Sequence, residues 1–139
     1  MKAADIMTKD ITVVNPESSI RDAAEKMRAL DTGILPVCDG RDMVGVITDR
    51  DIVIRTTADG KDPADGKVKE AMTTEVAFCL EDEDIEKIAH RMEEHKVRRM
   101  PVISHGKKLV GMISLADMAT HGEQSAACEI LEKVSRPDE

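Results

Sequence analysis

The sequence predicts an α/β protein of the α+β type, built from two copies of one β-α-β-β-α unit. The second half of the chain aligns with the first at an offset of 65 positions, and self-similarity at a fixed offset is typical of internal repeats. Within each copy, β-branched runs alternate with stretches of helical periodicity. The segment Gly-Val-Ile-Thr-Asp-Arg-Asp at 45–51 also returns as Gly-Met-Ile-Ser-Leu-Ala-Asp at 111–117.

The first repeat opens with a short β-branched run at 11–14, which predicts a strand, and a turn and a helix follow. The helix ends near Gly33. A strand at 34–38 and a return strand at 43–48 predict a hairpin, and a second helix is expected over 49–57. Apolar residues recur at helical spacing on one face of the first helix: Ile20, Ala23, Ala24 and Met27.

The second repeat follows the same order. We expect a strand at 75–79, a helix over about 84–95, a hairpin of strands 100–104 and 109–114, and a helix at 115–121. One extra residue enters the second hairpin turn, so that the offset becomes 66 beyond it. The duplication is therefore continuous through both halves.

These patterns predict the domain organisation. Residues 1–58 form the first repeat, 59–67 a linker rich in Gly, Pro and Asp, 68–122 the second repeat, and 123–139 a C-terminal helix and tail. A unit of about 60 residues buries too little surface to be stable alone. We therefore expect the repeats to pack through their sheets with pseudo-twofold symmetry, which would bring both strand-to-helix junctions to shared clefts.

The junctions are the candidate functional sites. Thr48 and Ser114 can cap the helices that follow, and amides left free there attract anions, phosphate in particular. Asp51 and Asp117 lie one turn later, where a carboxylate can accept hydrogen bonds from sugar hydroxyls. An ordinary capping box has the same Ser/Thr-x-x-Asp spacing and stays an alternative for each copy.

Composition excludes several functions. The formal net charge is −8, from 20 basic and 28 acidic side chains, which disfavours binding to nucleic acid or to an anionic membrane. Phe78 is the only aromatic residue, so a bound purine would have to lie between aliphatic side chains. No apolar stretch predicts a membrane span or a signal peptide.

The chain carries no pattern that predicts catalysis or a metal site. Three scattered cysteines predict reduced thiols and a cytoplasmic location. His90 and His95 are five positions apart and do not share a helix face, and the acidic run at 81–84 lacks the spacing of a calcium loop. No nucleophile lies in a pattern with a base. We expect a protein that is not an enzyme, contains no metal and requires no cofactor.

The repeated unit resembles the CBS domain, named after cystathionine β-synthase, and the two copies together resemble a CBS pair, or Bateman module. The resemblance covers residues 4–122, and stretches such as 47–52 and 95–102 are similar to stand-alone bacterial and archaeal CBS-pair proteins. The segments that carry it are Met7-Thr8 and Met72-Thr73, Leu35-Pro36-Val37 and Met100-Pro101-Val102, and the two Gly-x-x-Thr/Ser-x-x-Asp motifs.

The resemblance implies a regulatory module, such as an energy sensor, that binds AMP, ADP or ATP, or less readily S-adenosylmethionine, in the clefts between the repeats. It implies that Asp51 and Asp117 contact the ribose and that Thr48 and Ser114 lie by the phosphate. The implied purine slots consist of Ile11, Thr12, Ile34, Leu35 and Pro36 in one site and of Val76, Ala77, Met100 and Pro101 in the other.

The two sites are expected to differ in charge. The first contains Asp49 and Arg50 and offers a guanidinium, whereas Leu and Ala stand at the matching positions of the second. Arg98 and Arg99 are candidates for a phosphate contact, with a solvated charge cluster as the alternative.

The resemblance also implies partners. Two CBS pairs commonly join into a disc of four repeats, so a homodimer is expected, together with an unknown target protein. The competing hypothesis is a ligand-independent dimerisation or protein-interaction module that binds no small molecule. The departures in the second site, together with the expectation that no effector domain is attached, keep this alternative open.

Overall fold

The computed structural model describes residues 1–120 of the chain. They form an α+β fold of two compact units. The first unit is Thr12–Val76, and the second combines Met1–Ile11 with the described residues from Ala77 onward. The predicted helix near Ser125, with Cys128, lies outside the described residues, as does the end of the helix predicted to reach His121.

In chain order, the helices and strands are α1 (Ala3–Ile6), α2 (Ile20–Leu30), β1 (Ile34–Asp39), β2 (Asp42–Thr48), α3 (Asp49–Ile52), continued by a π-helical segment (Val53–Thr57), α4 (Val68–Ala71), β3 (Cys79–Leu80), α5 (Ile85–His95), β4 (Arg99–Ile103), β5 (Leu109–Ser114) and α6 (Leu115–Thr120). The long helices, the hairpins and the helix after each hairpin agree with the sequence prediction.

The first unit packs α2 and α4 on the β1–β2 hairpin. Helix α2 begins where the Ser19 hydroxyl accepts the amide of Asp22 (3.0 Å), and it ends at Asp31, whose backbone is left-handed (φ 52°). The antiparallel strands turn through Gly40, also left-handed (φ 65°). The buried core is aliphatic: Val14, Ile20, Ala23, Met27, Leu35, Val37, Ile47, Val68 and Ala71.

The second unit is built in the same way around a three-stranded sheet with the order β3-β4-β5. Helix α5 ends at Lys96, left-handed (φ 53°) and 65 positions after Asp31. The core is again aliphatic and includes several methionines: Ala3, Ile6, Cys79, Ile85, Ile88, Ala89, Met92, Met100, Val102, Ile113, Leu115 and Met118.

Two one-turn helices, α1 and α4, were not predicted, and each packs with the other repeat's hairpin. The segment after α1 pairs with β5, because the Thr8 amide donates to Met112 (2.8 Å) and the Met112 amide donates back (2.9 Å). The segment after α4 pairs with β2 through the same two bonds between Thr73 and Val46 (2.8 and 2.9 Å). The first unit thus contains α4, which begins the second repeat in sequence, and the second unit contains α1, which begins the first repeat.

The predicted strands at 11–14 and 75–79 are wrong in extent. The first is a single parallel bridge, in which the Val14 amide donates to Pro36 (3.0 Å) and the Cys38 amide donates to Val14 (2.9 Å). The second is only β3, which pairs with Val102 and Ile103. Extending either ladder backwards would require an N–H from Pro36 or from its equivalent Pro101, and proline has none.

Candidate functional site

Each strand-to-helix junction is closed by a reciprocal cap. The Thr48 amide donates to Asp51 Oδ2 and the Asp51 amide donates back to Thr48 Oγ1, both at 3.0 Å. In the second unit the Ser114 amide donates to Asp117 Oδ2 (2.9 Å), and the Asp117 amide donates to Ser114 Oγ (3.1 Å). The capping-box interpretation is therefore correct for both copies, and one oxygen of each carboxylate is already used.

The hairpins place the same backbone next to each junction. Ile34 lies opposite Thr48, and Arg99 lies opposite Ser114. The first helical amide is held from the other strand in both units, because Asp49 donates to the Gly33 carbonyl (2.9 Å) and Leu115 donates to the Arg98 carbonyl (3.0 Å). The two junctions are thus equivalent in backbone as well as in sequence.

The junctions differ in how many amides remain for an anion. In the first, the amide of Arg50 donates to the Asp49 side chain (2.8 Å), so residues 49, 50 and 51 all have partners. The expectation of free amides is wrong there. In the second, Leu115 replaces Asp49 and carries no acceptor, so no side chain at that position caps the Ala116 amide.

The Asp51 carboxylate has two further neighbours. The Thr73 hydroxyl donates to Oδ1 and Oδ2 at 3.2 and 3.3 Å, and Arg55 Nη1 lies 3.6 Å from Oδ1. Asp51 is consequently buried, with 8% of its surface exposed. Neither Thr73 nor Arg55 was predicted to lie in the site, although the repetition of Met7-Thr8 as Met72-Thr73 indicated that this threonine is important.

Arg55 is fixed by the end of α4. Its Nη1 donates to the carbonyls of Ala71 (2.9 Å) and Met72 (3.0 Å), and it also donates to the Thr73 hydroxyl (3.3 Å). A cation at the C-terminal carbonyls of a helix is a favourable arrangement. The guanidinium therefore joins Asp51 and the segment after α4 into one polar cluster.

The remaining candidate ligand residues divide by exposure. The Leu35 and Met100 side chains belong to the two cores, and Pro36 and Pro101 are also buried. A purine beside these residues would meet backbone more than side chain. The exposed candidates are Thr12, Asp49, Arg50, Arg98 and Arg99. The half-buried candidates are Ile11, Ile34, Thr48, Val76, Ala77, Ser114 and Asp117.

Other reactive groups are arranged as structural parts. Cys38 and Cys79 are buried free thiols, and burial raises the pKa of Cys79 to about 12. Within residues 1–120 no three His, Cys, Asp or Glu side chains come together as a set able to hold a metal ion. Over the same residues, no helix combines the length and apolar character needed to cross a membrane.

Two α+β repeats, each with a capped strand-to-helix junction, define the class of protein to which this chain belongs. The family model described as "CBS domain" matches it twice, at residues 3–55 and 68–122. The chain belongs to the CBS-domain family, and the resemblance inferred from the motifs is confirmed.

Several known proteins are similar over almost the whole chain. Hypoxic response protein 1 of Mycobacterium tuberculosis is 37% identical over 136 residues, which cover 97% of this chain and 94% of that protein. A crystal structure of that protein, with two coordinated zinc ions, matches with a TM-score of 0.78 and 39% identity, covering 87% of this chain and 98% of the other.

Two further structures contain adenosine ligands. CBSX2 in complex with AMP matches with a TM-score of 0.76 and 26% identity, covering 89% of this chain and 97% of the other. The CBS domain pair of protein MJ0100, in complex with 5-methylthioadenosine and S-adenosyl-L-methionine, matches with a TM-score of 0.75 and 25% identity, covering 90% and 98%.

Proposed function

We propose that this CBS pair is a regulatory module that binds an adenosine-containing ligand at its strand-to-helix junctions, with AMP, ADP or ATP ahead of S-adenosylmethionine. The observation that carries the proposal is the doubled junction, in which a carboxylate held by its own cap keeps its second oxygen beside the helix start. The adenosine ligands of the similar CBSX2 and MJ0100 structures support the ligand class. We expect no catalysed reaction, and we place the protein in the cytoplasm.

We assign the ribose to the aspartates. The cap uses Oδ2 of Asp51 and of Asp117, so that Oδ1 is the oxygen we assign to a sugar hydroxyl, although in Asp51 the Thr73 hydroxyl also donates to it. A hydrogen bond to a charged acceptor contributes about 1.5–3 kcal/mol, enough to matter for a small ligand. In this proposal the nucleotide is a regulatory ligand, and the protein requires no separate cofactor.

We assign the phosphate mainly to the second junction. Ser114 is half-buried there, the neighbouring strand begins at Arg99, and the side chain at 115 does not compete for the Ala116 amide. In the first junction Asp49 occupies the matching amide, and the exposed Arg50 is the group left to meet an anion. Phosphorylated ligands should therefore favour the second site.

Titration calorimetry with AMP tests the ribose assignment. Asp51→Asn and Asp117→Asn preserve the shape of the side chain and remove its charge, and at least one of them should weaken AMP binding by about tenfold or more. The loss should be smaller for 2′,3′-dideoxy-AMP, which lacks both ribose hydroxyls. Asp59→Asn, at an exposed carboxylate of the linker, is the charge-matched control and should leave the affinity unchanged.

Equal affinity of both variants and the wild-type protein for AMP would contradict the assignment. Titrations with ATP and S-adenosylmethionine on the same variants would then show whether another adenosine ligand depends on these carboxylates. A complete lack of binding by all three ligands would remove the proposed function.

A second candidate is a ligand-independent interaction module. Burial of Asp51 among protein partners favours it, as do the exposed side chains of Val53 (57%) and Ile54 (46%) on the helix that follows. Such a module would form a homodimer or bind a target protein. Its melting temperature would stay constant at every nucleotide concentration, whereas a ligand-binding module would be stabilised as the concentration exceeds Kd.

A further inference from the structure

The proposed ribose acceptor of the first unit already has three protein partners. Asp51 accepts hydrogen bonds from the Thr48 amide (3.0 Å) and from the Thr73 hydroxyl (3.2 Å to Oδ1), and Arg55 lies 3.6 Å away. Only 11% of its side-chain surface is exposed. A ribose therefore meets a carboxylate that another hydroxyl already occupies.

The chemistry of the two contacts is the same. The Thr73 hydroxyl donates to Asp51 Oδ1, the oxygen left free by the cap, and a ribose hydroxyl would donate to that same oxygen. Both are neutral O–H donors to a charged acceptor, so neither has a large intrinsic advantage. The side chain of Thr73 thus takes the place of a sugar hydroxyl.

Thr73 leads directly out of the first unit. That unit ends at Val76, three residues later, and the chain continues into the second unit at Ala77. The Thr73 side chain is held by Asp51 and by Arg55 Nη1 (3.3 Å), while its amide donates to Val46 (2.8 Å). Loss of the side-chain contacts would weaken one of the attachments of this connecting segment.

We propose that Thr73 is an internal competitor for the ribose site: a ligand that binds Asp51 displaces the Thr73 hydroxyl and loosens residues 73–76. This inference rests on the proposed function and adds a regulatory step to it. Occupancy of the first site would thereby change how firmly residues 73–76 are held, and these residues end at one of the two points where the chain passes from one unit to the other. Thr73 is a positioning residue, because it acts on the ligand through Asp51.

The second unit supplies an internal control. Thr8 is equivalent to Thr73 and pairs with Met112 through the same two backbone bonds. Within residues 1–120, however, the Thr8 hydroxyl forms no hydrogen bond to Asp117, and Asp117 is half-buried. The residue that matches Arg55 is His121, which lies outside the described residues. Competition is therefore expected at the first site alone.

Titration of AMP into Thr73→Val tests the competition, because valine keeps the β-branched shape and removes the hydroxyl. The AMP affinity of the first site should rise by about three- to tenfold, the equivalent of one hydrogen bond. The affinity for 2′,3′-dideoxy-AMP should not change. A purely structural role of Thr73 would instead alter the affinities for both ligands alike. Thr73→Ser should restore the wild-type affinity, and Thr8→Val should leave it unchanged.

Hydrogen exchange tests the release. AMP should accelerate amide exchange of residues 73–76 in the wild-type protein, whereas in Thr73→Val exchange should already be fast and AMP should add little. Unchanged or slower exchange in wild-type protein with AMP would overturn the release of this segment.

The failures of the two proposals can be told apart. If Asp51→Asn weakens AMP binding but Thr73→Val leaves it unchanged or weaker, the competition is overturned and the proposed function stands. If AMP binds with an affinity independent of Asp51, or does not bind, the ribose assignment falls at the first site and the competition falls with it.

Discussion

A Cβ atom added at Gly45 would lie 2.5 Å from the carbonyl oxygen of Thr73. Gly111 is in the same position, where a Cβ would lie 2.9 Å from the carbonyl oxygen of Thr8. The glycine that opens each Gly-x-x-Thr/Ser-x-x-Asp motif is therefore required by the close approach of the Met-Thr segment to the strand. In each unit the Met-Thr motif and the Gly-x-x-Thr/Ser-x-x-Asp motif, although far apart in sequence, therefore contact each other.

Gly45→Ala should destabilise the protein by about 2 kcal/mol, because the added methyl group meets backbone that is itself held by the pairing of Thr73 with Val46. Chemical denaturation, with the midpoint and slope compared to those of the wild-type protein, measures the difference.

Gly33→Ala is the matched control for this substitution. Its Cβ would meet the carboxylate of Asp49 at 2.9 Å, but that side chain is exposed and can move. We expect a change of less than about 0.5 kcal/mol, since alanine also lowers the entropy of the unfolded chain. An equal decrease in the free energy of unfolding for Gly45→Ala and Gly33→Ala would contradict the requirement for glycine next to the Thr73 carbonyl.

The local parts of this fold were predictable from the sequence. Helical spacing, turn residues and β-branched runs depend on neighbours within a few positions, so α2, α5 and both hairpins agree with expectation. The strands at 11–14 and 75–79 were overpredicted because the sequence does not show that each pairs with the strand of its own unit that contains a proline. Alignment of the repeats also identifies Thr8 and Thr73 as equivalent, but it does not show that each pairs with the hairpin of the other repeat.

The candidate site was predictable to the same extent. The pairs Thr48–Asp51 and Ser114–Asp117 lie three residues apart, and their spacing predicted the caps that form. Thr73 reaches Asp51 across 22 positions, a contact that no local pattern indicates. The partnered amide of Arg50 depends on the rotamer of Asp49, which sequence does not specify either.

The stability of the second unit should depend on pH through Glu83. Its carboxylate accepts two bonds from the Arg91 guanidinium (2.9 and 2.7 Å) and one from the Leu80 amide (2.9 Å), and the Arg91 bonds lower its pKa below the usual 4.5. A lowered pKa stabilises the fold above the unfolded-state value, and that contribution is lost as the pH falls through the folded-state pKa.

Glu83→Gln should therefore reduce the free energy of unfolding at pH 7 by about 1–2 kcal/mol. The difference from the wild-type protein should shrink as the pH falls below about 4.5, where the wild-type carboxyl becomes protonated as well. Glu86→Gln, at an exposed position of α5, serves as the control and should have little effect at any pH. A difference that stays constant from pH 7 to pH 3 would contradict this role.

Thr56 carries a buried hydroxyl that makes no hydrogen bond within the described residues. The residue is fully buried in the π-helical segment, and its carbonyl accepts the amide of Lys61 (3.0 Å). Valine has almost the same shape and a similar helix propensity, so Thr56→Val removes an unsatisfied polar group without opening a cavity. We expect the free energy of unfolding to rise by about 1 kcal/mol.

Thr56→Ser is the control, because it keeps the hydroxyl and loses the methyl group. It should lower the free energy of unfolding by about 1 kcal/mol, as measured by thermal or chemical denaturation. Opposite signs for the two variants would identify the hydroxyl as an energetic cost to the fold, whereas destabilisation by valine would contradict this interpretation.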